Sequence, residues 1–264
     1  MPYALRTRFK KEIVAEFLPP LLKRSQGKKV SAKNRVVIIC DGAPSVPSKS
    51  SLLQFFSQKG YWAIHFRYRG SWESDGKFLE KSPEQDVIDV IDGLSKGFQS
   101  FDYDNHRRYR VMPDEIIVIA ASFGGPAGIL ASRDPRVKKV ICISPVVDWQ
   151  APSKSEPLPW FKKFIHDAFG NGYRFGSSAN EKRTWAKLAS GKFYNPVRHT
   201  DEIDGSKLFI FHARDDESVR AREVVKFAHA TGATLKLLKK GGHLSSSRIV
   251  PKYWPQIAKF LRAS

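Results

Sequence analysis

Ser122 is the residue in this sequence best suited to act as a nucleophile. Small residues flank it, with Ala120 two positions before and Gly124 two positions after. This spacing matches the nucleophile elbow G-x-S-x-G, with alanine in place of the first glycine. An elbow holds its central residue in a strained, exposed conformation, so the residues around it must be small. The pattern predicts that the Ser122 hydroxyl attacks an electrophilic centre; the simpler alternative is a turn that binds phosphate or only connects two elements.

His243 is the histidine best placed to serve as a general base for this serine. It follows the last predicted strand in a Gly-Gly-His turn, and glycines allow such a loop to fold back over the sheet edge. The alternative is a histidine on a surface loop. The other six histidines lie in predicted strands, helices or polar segments without metal-ligand spacing: His65, His106, His166, His199, His212 and His229.

Three aspartates are candidates for the acid that orients the base. Residues 211–219 follow a predicted strand and resemble the H-G-x-x-D-x-x-V loop of α/β-hydrolases, with Ala213 at the glycine position. This resemblance implies Asp216 as the acid, and Asp215 is its competitor. Asp148 also follows a predicted strand, where some relatives place the acid, but an aspartate in such a turn more often binds local backbone.

An acyl-transfer reaction also needs two backbone N–H donors for the developing oxyanion. Phe123, directly after the nucleophile, is expected to supply one at the start of a helix, where the helix dipole favours negative charge. Residues 41–44, Asp-Gly-Ala-Pro, follow a buried strand where similar enzymes carry His-Gly-x-Pro. That resemblance implies the N–H of Ala43 as the second donor. Asp41 replaces the histidine, but a main-chain donor does not depend on that side chain.

Together these motifs resemble the α/β-hydrolases, in particular dienelactone-hydrolase-like proteins and the catalytic domain of prolyl oligopeptidase and acylaminoacyl-peptidase enzymes. Further matching segments are residues 68–71, Tyr-Arg-Gly-Ser, and 144–149, Ser-Pro-Val-Val-Asp-Trp, and the resemblance extends over about residues 36–262. Ser122 departs from dienelactone hydrolases proper, which use cysteine. The resemblance implies an α/β-hydrolase fold, a doubly wound and mostly parallel sheet with a small helical cap.

Hydrophobic patterns also predict an α/β protein. β-branched and aromatic runs alternate with amphipathic segments, which is typical of a parallel, doubly wound sheet. The first 30 residues indicate an edge strand or hairpin and then a lysine-rich connection, and residues 150–200 indicate a helical cap. We expect one domain over residues 1–264. Strands are predicted at 36–40, 61–66, 116–119, 137–144, 207–212 and 234–238, and helices at 51–59, 82–94, 218–231 and from the last loop to about 262.

The composition excludes several classes of protein. The net charge is +19, but lysine and arginine are spread over the whole chain and no RNA-binding signature occurs. We therefore expect a solvated basic surface and do not expect a nucleic-acid partner. No run has the length of a membrane span, and the N-terminus has no secretory-type apolar core. The two cysteines, Cys40 and Cys142, lie in predicted strands, which argues against a disulfide framework and favours the cytoplasm.

The sequence therefore predicts a serine hydrolase that cleaves carboxylic esters or related small acyl compounds. Ser122, His243 and Asp216 are the expected triad, with Phe123 and Ala43 as oxyanion donors and with no cofactor or metal. A peptidase that cleaves short acylated peptides is the alternative within the same fold. A non-catalytic binding protein on a hydrolase scaffold is the alternative of another class. The sequence predicts neither the acyl specificity nor the oligomeric state.

Overall fold

The computed structural model describes residues 3–21, 34–44, 48–101 and 106–263. In these ranges the strands are β1 Leu5–Phe9, β2 Ile13–Leu18, β3 Arg35–Cys40, β4 Trp62–Phe66, β5 Phe98–Gln99, β6 Arg108–Tyr109, β7 Glu115–Ala121, β8 Val137–Ile143, β9 Leu208–Ala213 and β10 Thr234–Leu238. The α-helices are α1 Ser50–Gln58, α2 Glu84–Lys96, α3 Gly124–Ala131, α4 Leu158–Phe169, α5 Ser178–Ala189, α6 Ala221–Thr231, α7 Ser246–Lys252 and α8 Trp254–Arg262.

Eight of these strands form one sheet in the order β1-β2-β4-β3-β7-β8-β9-β10. β2 runs antiparallel to β1 and β4, and every other neighbouring pair is parallel. β7 lies between β3 and β8, which explains its continuous run of buried apolar residues. The parallel strands all end at one edge, and the loops there carry the candidate site residues.

Alternate side chains of the central strands enter two separate cores, one on each face of the sheet. In β7, Ile116, Val118 and Ala120 join the core that includes residues of α2, α3 and α6. Ile117 and Ile119 join the opposite core, which includes residues of α1, α7 and α8. The sheet is therefore covered on both faces, as the sequence pattern predicts for a doubly wound protein.

The observed elements agree closely with the predicted ones, and they differ in two segments. The predicted closing helix is two helices, α7 and α8, which meet at Tyr253 and Trp254. Pro255 lies in the first turn of α8, where its missing N–H costs least, whereas inside one continuous helix it would remove a hydrogen bond and clash with the carbonyl four residues before it. The segment expected to be a polar loop at 97–112 contains the two-stranded ribbon of β5 and β6.

The N-terminal prediction holds for the part that the structure describes. β1 and β2 form the predicted hairpin at the edge of the sheet, and Lys10 and Lys11 adopt positive φ in its turn. The lysine-rich connection predicted after it falls on residues 22–33, outside the described residues. Within the described ranges, no helix combines the length and apolar character needed to cross a membrane.

The segment between β8 and β9 contains the expected helical insertion. α4 and α5 lie in it, joined through a short 3-10 turn at Gly170–Gly172, and a second 3-10 segment follows at Pro196–Glu202. Phe161 and Trp185, one from each helix, pack edge to face with their ring centroids 5.8 Å apart. Both side chains are buried in the same core as α3, so the insertion is attached to the face of the sheet that carries the elbow helix.

Candidate active site

Ser122 lies in a tight turn between the end of β7 and the start of α3. Its φ is +51°, a left-handed value that a non-glycine residue adopts only under constraint. The Ser122 N–H donates to the carbonyl of Ile143 on β8, and the Ser122 carbonyl accepts from Gly125 and Val146 at 2.9 and 3.1 Å. These bonds hold the strained backbone in place. The local geometry is that of a nucleophile elbow.

The same bonds orient the backbone N–H of Phe123. This N–H belongs to the peptide group whose carbonyl oxygen is that of Ser122, and in a planar trans peptide the two groups point in opposite directions. Because two donors fix the Ser122 carbonyl, the direction of the Phe123 N–H is fixed as well. Among the hydrogen bonds between described residues, none uses the N–H of Phe123 or of Ala43. Both donors therefore remain available for a ligand.

Close packing explains the small residues around the elbow. A Cβ added at Gly124 would lie 2.4 Å from the carbonyl oxygen of Cys40, because the elbow approaches the end of β3. A Cβ added at Gly128 would lie 2.5 Å from the Cβ of Ala120. Ala120 is thus tolerated at the usual glycine position because Gly128 on α3 leaves room for its methyl group.

Tyr194 holds the start of α3 from the side of the insertion. Its buried hydroxyl donates to the carbonyl of Phe123 at 2.6 Å and accepts from the N–H of Ala127 at 3.1 Å. Burial raises the pKa of this hydroxyl well above its usual value, so it stays protonated and can donate. No sequence motif marks Tyr194, which lies 71 residues from Phe123 along the chain.

The loop that carries Ala43 is held by side chains from two other loops. Tyr68 donates its hydroxyl to the carbonyl of Asp41 at 2.8 Å, and Lys49 lies 2.5 Å from the Asp41 carboxylate. Asp41, which stands where similar enzymes carry histidine, is therefore a buried ion-pair partner. Arg69, the next residue of the Tyr-Arg-Gly-Ser segment, binds carboxylates of β1–β2 and α2, which fixes the loop that presents Tyr68.

Asp216 and His243 are hydrogen-bonded to each other. The Nδ1 atom of His243 lies 3.0 and 3.2 Å from the two carboxylate oxygens of Asp216. The Asp216 side chain is fully buried and also accepts from the backbone N–H groups of Ser218 and Val219. A carboxylate held in this way orients the imidazole and keeps the Nε2 atom free to accept a proton.

The electrostatics of the pair agree with this geometry. Burial alone would raise the pKa of Asp216, but the hydrogen bonds and the charge of His243 lower it below its ordinary value. Burial alone would lower the pKa of His243, but the bond to Asp216, its negative charge and the charge of Glu156 raise it above the ordinary histidine value. The folded state therefore stabilises the imidazolium, as a general base requires when it takes up a proton.

The two competing aspartates bind backbone and amide N–H groups and not the His243 ring. Asp215 accepts from the N–H groups of Gly241 and Gly242 at 3.2 and 2.9 Å, so it supports the loop of His243 from the exposed side. Asp148 accepts from the N–H of Gln150 and from the side-chain amide of Asn195. These local contacts match the turn role that the sequence indicates for Asp148.

His212 lies beside the pair and is fully buried. Its Nε2 atom donates to the carbonyl of Val219 at 2.9 Å and lies 3.7 Å from the Asp216 carboxylate. Burial lowers its pKa, and its bond to the Val219 carbonyl makes it a donor that holds the acid loop. The sequence interpretation of this histidine as non-catalytic agrees with these contacts.

Ser122, Phe123 and Ala43 line one open cavity at the carboxyl edge of the sheet. The cavity has a volume of about 680 Å³, counted with its mouth, and Trp149 and Phe161 are the aromatic side chains from the segment between β8 and β9 that line it. No hydrogen bond between described residues joins the Ser122 hydroxyl to His243. The structure thus brings Asp216 to His243, and it places Ser122 in one cavity with both expected oxyanion donors. It does not join Ser122 to His243 by a hydrogen bond. Catalytic hydrogen bonds are often long or absent in unliganded proteins.

The strand order, the parallel arrangement and the elbow define the α/β-hydrolase fold. An esterase from Pyrococcus furiosus aligns with 99% of this chain and 91% of its own, at a TM-score of 0.65 and 18% identity. An acylaminoacyl peptidase from Pyrococcus horikoshii aligns with 98% of this chain but 41% of its own, at 0.63 and 18% identity. The protein Est1E from Butyrivibrio proteoclasticus aligns over the full length of both chains, at 0.62 and 13% identity. No protein-family model and no curated protein matches the sequence.

Proposed function

We propose that this protein is a serine hydrolase that cleaves small carboxylic esters through an acyl-enzyme. The observation that carries the proposal is the Asp216–His243 hydrogen bond at the sheet edge where Ser122 is held at a left-handed φ. The fold alone does not require an acid–histidine pair beside the elbow, since many unrelated functions share one scaffold. The aligned esterase from Pyrococcus furiosus supports the same reaction class.

In the proposed reaction, the Nε2 atom of neutral His243 takes the proton from the hydroxyl of Ser122. The Ser122 oxygen attacks the acyl carbon, and the N–H groups of Phe123 and Ala43 bind the resulting oxyanion. Asp216 holds the required tautomer of His243 and stabilises the imidazolium. The imidazolium then gives its proton to the departing alcohol, which leaves Ser122 acylated.

Hydrolysis of the acyl-enzyme repeats these steps with water as the nucleophile. His243 takes a proton from the water as its oxygen attacks the acyl carbon. The ester bond to Ser122 breaks, the serine oxygen recovers the proton and the carboxylic acid leaves. No cofactor or metal enters the proposed mechanism.

Active-site labelling tests the nucleophile. A fluorophosphonate probe should label the wild-type protein at Ser122, and Ser122→Ala should lose both labelling and ester turnover while its thermal unfolding stays unchanged. Ser153 lines the same cavity and donates its hydroxyl to a backbone carbonyl, so Ser153→Ala is the matched control that keeps labelling. Labelling that persists in Ser122→Ala would refute the assignment.

A peptidase activity is the second candidate, because the aligned acylaminoacyl peptidase has the same fold over nearly the whole of this chain. A panel of p-nitrophenyl esters and aminoacyl p-nitroanilides separates the two activities. We expect turnover of the esters and not of the anilides. The reverse result would select the peptidase, and turnover of neither would favour a binding protein on this scaffold.

A further inference from the structure

A second groove continues from the Ser122 cavity along the surface of the insertion. It lies between α4 and α5 and shares five wall residues with the cavity, which are Trp149, Ala151, Pro152, Ser153 and Leu158. The shared residues place the groove directly beside the cavity, within reach of a molecule whose ester group lies at Ser122.

The floor of the groove is mainly apolar. Trp149 and Leu158 form the part nearest the cavity, and Trp185, which is buried in α5, forms the part between the helices. Pro157 and Pro159 add further apolar surface on the α4 side. A hydrocarbon chain is the kind of group that such a surface removes from water.

Two lysines are the only charged residues that line the groove among the described residues. Lys162 comes from α4 and Lys182 from α5, and no aspartate or glutamate accompanies them. Neither lysine has an ion-pair partner within the described ranges, although Lys162 is partly buried. Asp167 and Glu181 line an adjoining pocket with the same two lysines, where Asp167 binds Lys163 and Glu181 accepts from the indole N–H of Trp185 at 3.3 Å and lies 3.7 Å from His166.

We propose that the groove binds the apolar chain of the substrate and that Lys162 and Lys182 bind a carboxylate at the end of that chain. The inference rests on the proposed ester hydrolysis and adds a substrate class to it, namely esters with a terminal carboxylate. A positive charge from each side of an apolar groove complements such an anion.

Paired substrates test the inference. In one pair, a p-nitrophenyl ester carries either a carboxylate or the isosteric carboxamide at the far end of its acyl chain. In a second pair, an acetate ester carries the same two groups at the end of its alcohol chain. In one of the two pairs, the wild-type protein should have a higher kcat/KM for the carboxylate than for the carboxamide at low ionic strength. The pair that shows this preference identifies whether the acyl or the alcohol side of the ester occupies the groove.

Lysine variants locate the selectivity. Lys162→Met and Lys182→Met should each reduce the carboxylate-to-carboxamide ratio of kcat/KM by about fivefold, the upper range for an exposed ion pair. Lys163→Met, on the same helix but paired with Asp167, is the matched control and should keep the wild-type ratio. High salt should lower the wild-type ratio and have little effect on the ratio of the double lysine variant.

The outcomes separate this inference from the proposed function. The groove inference is wrong if the neutral esters are hydrolysed but neither pair shows a preference for the carboxylate. It is also wrong if Lys163→Met changes the carboxylate-to-carboxamide ratio as much as Lys162→Met does. In both cases the esterase proposal stands. If no ester is hydrolysed, the esterase proposal fails. Calorimetry then tests the groove inference without any turnover, by measuring how tightly the same substrate pairs bind to Ser122→Ala. Equal affinity for the carboxylate and the carboxamide would show that the groove inference is wrong.

Discussion

The hydroxyl oxygen of Ser144 lies 3.0 Å from the backbone nitrogen of Leu244, the residue directly after His243. Ser144 is fully buried at the end of β8, and its own N–H donates to the carbonyl of Phe211 on β9. The Ser144 hydroxyl is also among the groups that lower the pKa of Asp216, after the larger effects of His243 and the Val219 N–H. One serine thus connects the loops of both members of the acid–base pair.

Ser144→Ala should therefore impair both stability and turnover. The Leu244 N–H loses its acceptor in a buried position, which should lower the free energy of unfolding by about 1–3 kcal/mol. A less constrained His243 should lower kcat more than it raises KM, measured on a neutral ester. Ser132→Ala is the control, since Ser132 is also buried but its hydroxyl donates within α3. Equal kcat losses in the two variants would show that Ser144 has only a general structural role.

Asp216→Asn should reduce kcat by roughly 10⁴-fold, as in the serine protease triad when its aspartate becomes asparagine. The amide can present an N–H to His243 and stabilise the wrong tautomer. Asp215→Asn should be milder, because Asp215 binds only the backbone of Gly241 and Gly242. Asp148→Asn should act mainly on unfolding. Steady-state kinetics and thermal unfolding of the three variants check this order. If Asp148→Asn were folded but inactive while Asp216→Asn stayed active, Asp148 would be the acid.

The pH dependence of kcat/KM should report the raised pKa of His243. Only the neutral imidazole accepts the serine proton, so activity should rise with pH through a midpoint above the ordinary histidine value of 6.5. Asp216→Asn removes the main cause of the raised pKa and should move the midpoint down. A wild-type midpoint well below 6.5, by kinetics or by nuclear magnetic resonance titration of the His243 ring, would contradict the assignment.

The same pKa shifts make stability depend on pH in opposite directions. Because the pKa of His243 is raised on folding, its protonated form adds stability that is fully present below the unfolded-state pKa and is lost as pH rises through the folded-state value. Because the pKa of Asp216 is lowered, its ionised form adds stability above the unfolded-state pKa that is lost as pH falls through the folded-state value. Denaturant unfolding of wild type and Asp216→Asn across both pH ranges checks these signs.

Gly128→Ala should destabilise the protein by about 1–3 kcal/mol, the usual cost of forcing an extra methyl group into a packed core. The new methyl would meet the Cβ of Ala120 at 2.5 Å and approach Val118 and Val140 at 3.1 and 3.2 Å. Ala120→Gly in the same chain removes the closest contact and should restore at least half of the loss. Denaturant unfolding of both single variants and the double variant measures the coupling, and strictly additive effects would contradict the contact.

Local sequence signals were sufficient for the fold and for part of the site. The elbow of Ser122 depends on residues within six positions, and the Asp216 loop follows a recognisable strand, so short patterns predict both. Tyr194 has no such signal, and the matching segment that begins at Ser144 predicts no role for that side chain, because each acts on residues 67 to 100 positions away. The sequence predicts one closing helix, whereas the structure has two, with Pro255 in the first turn of the second.

The groove and the proposed reacting groups come from different parts of the chain. All thirteen residues of the groove lie between Trp149 and Ala189, whereas the proposed reacting groups follow β7, β9 and β10. Under the proposed function, the residues that would hold the substrate therefore come from one continuous stretch of chain, separate from those that would cleave the bond. An exchange of that stretch between scaffolds also has to preserve Phe161 and Trp185, which are buried in the same core as α3.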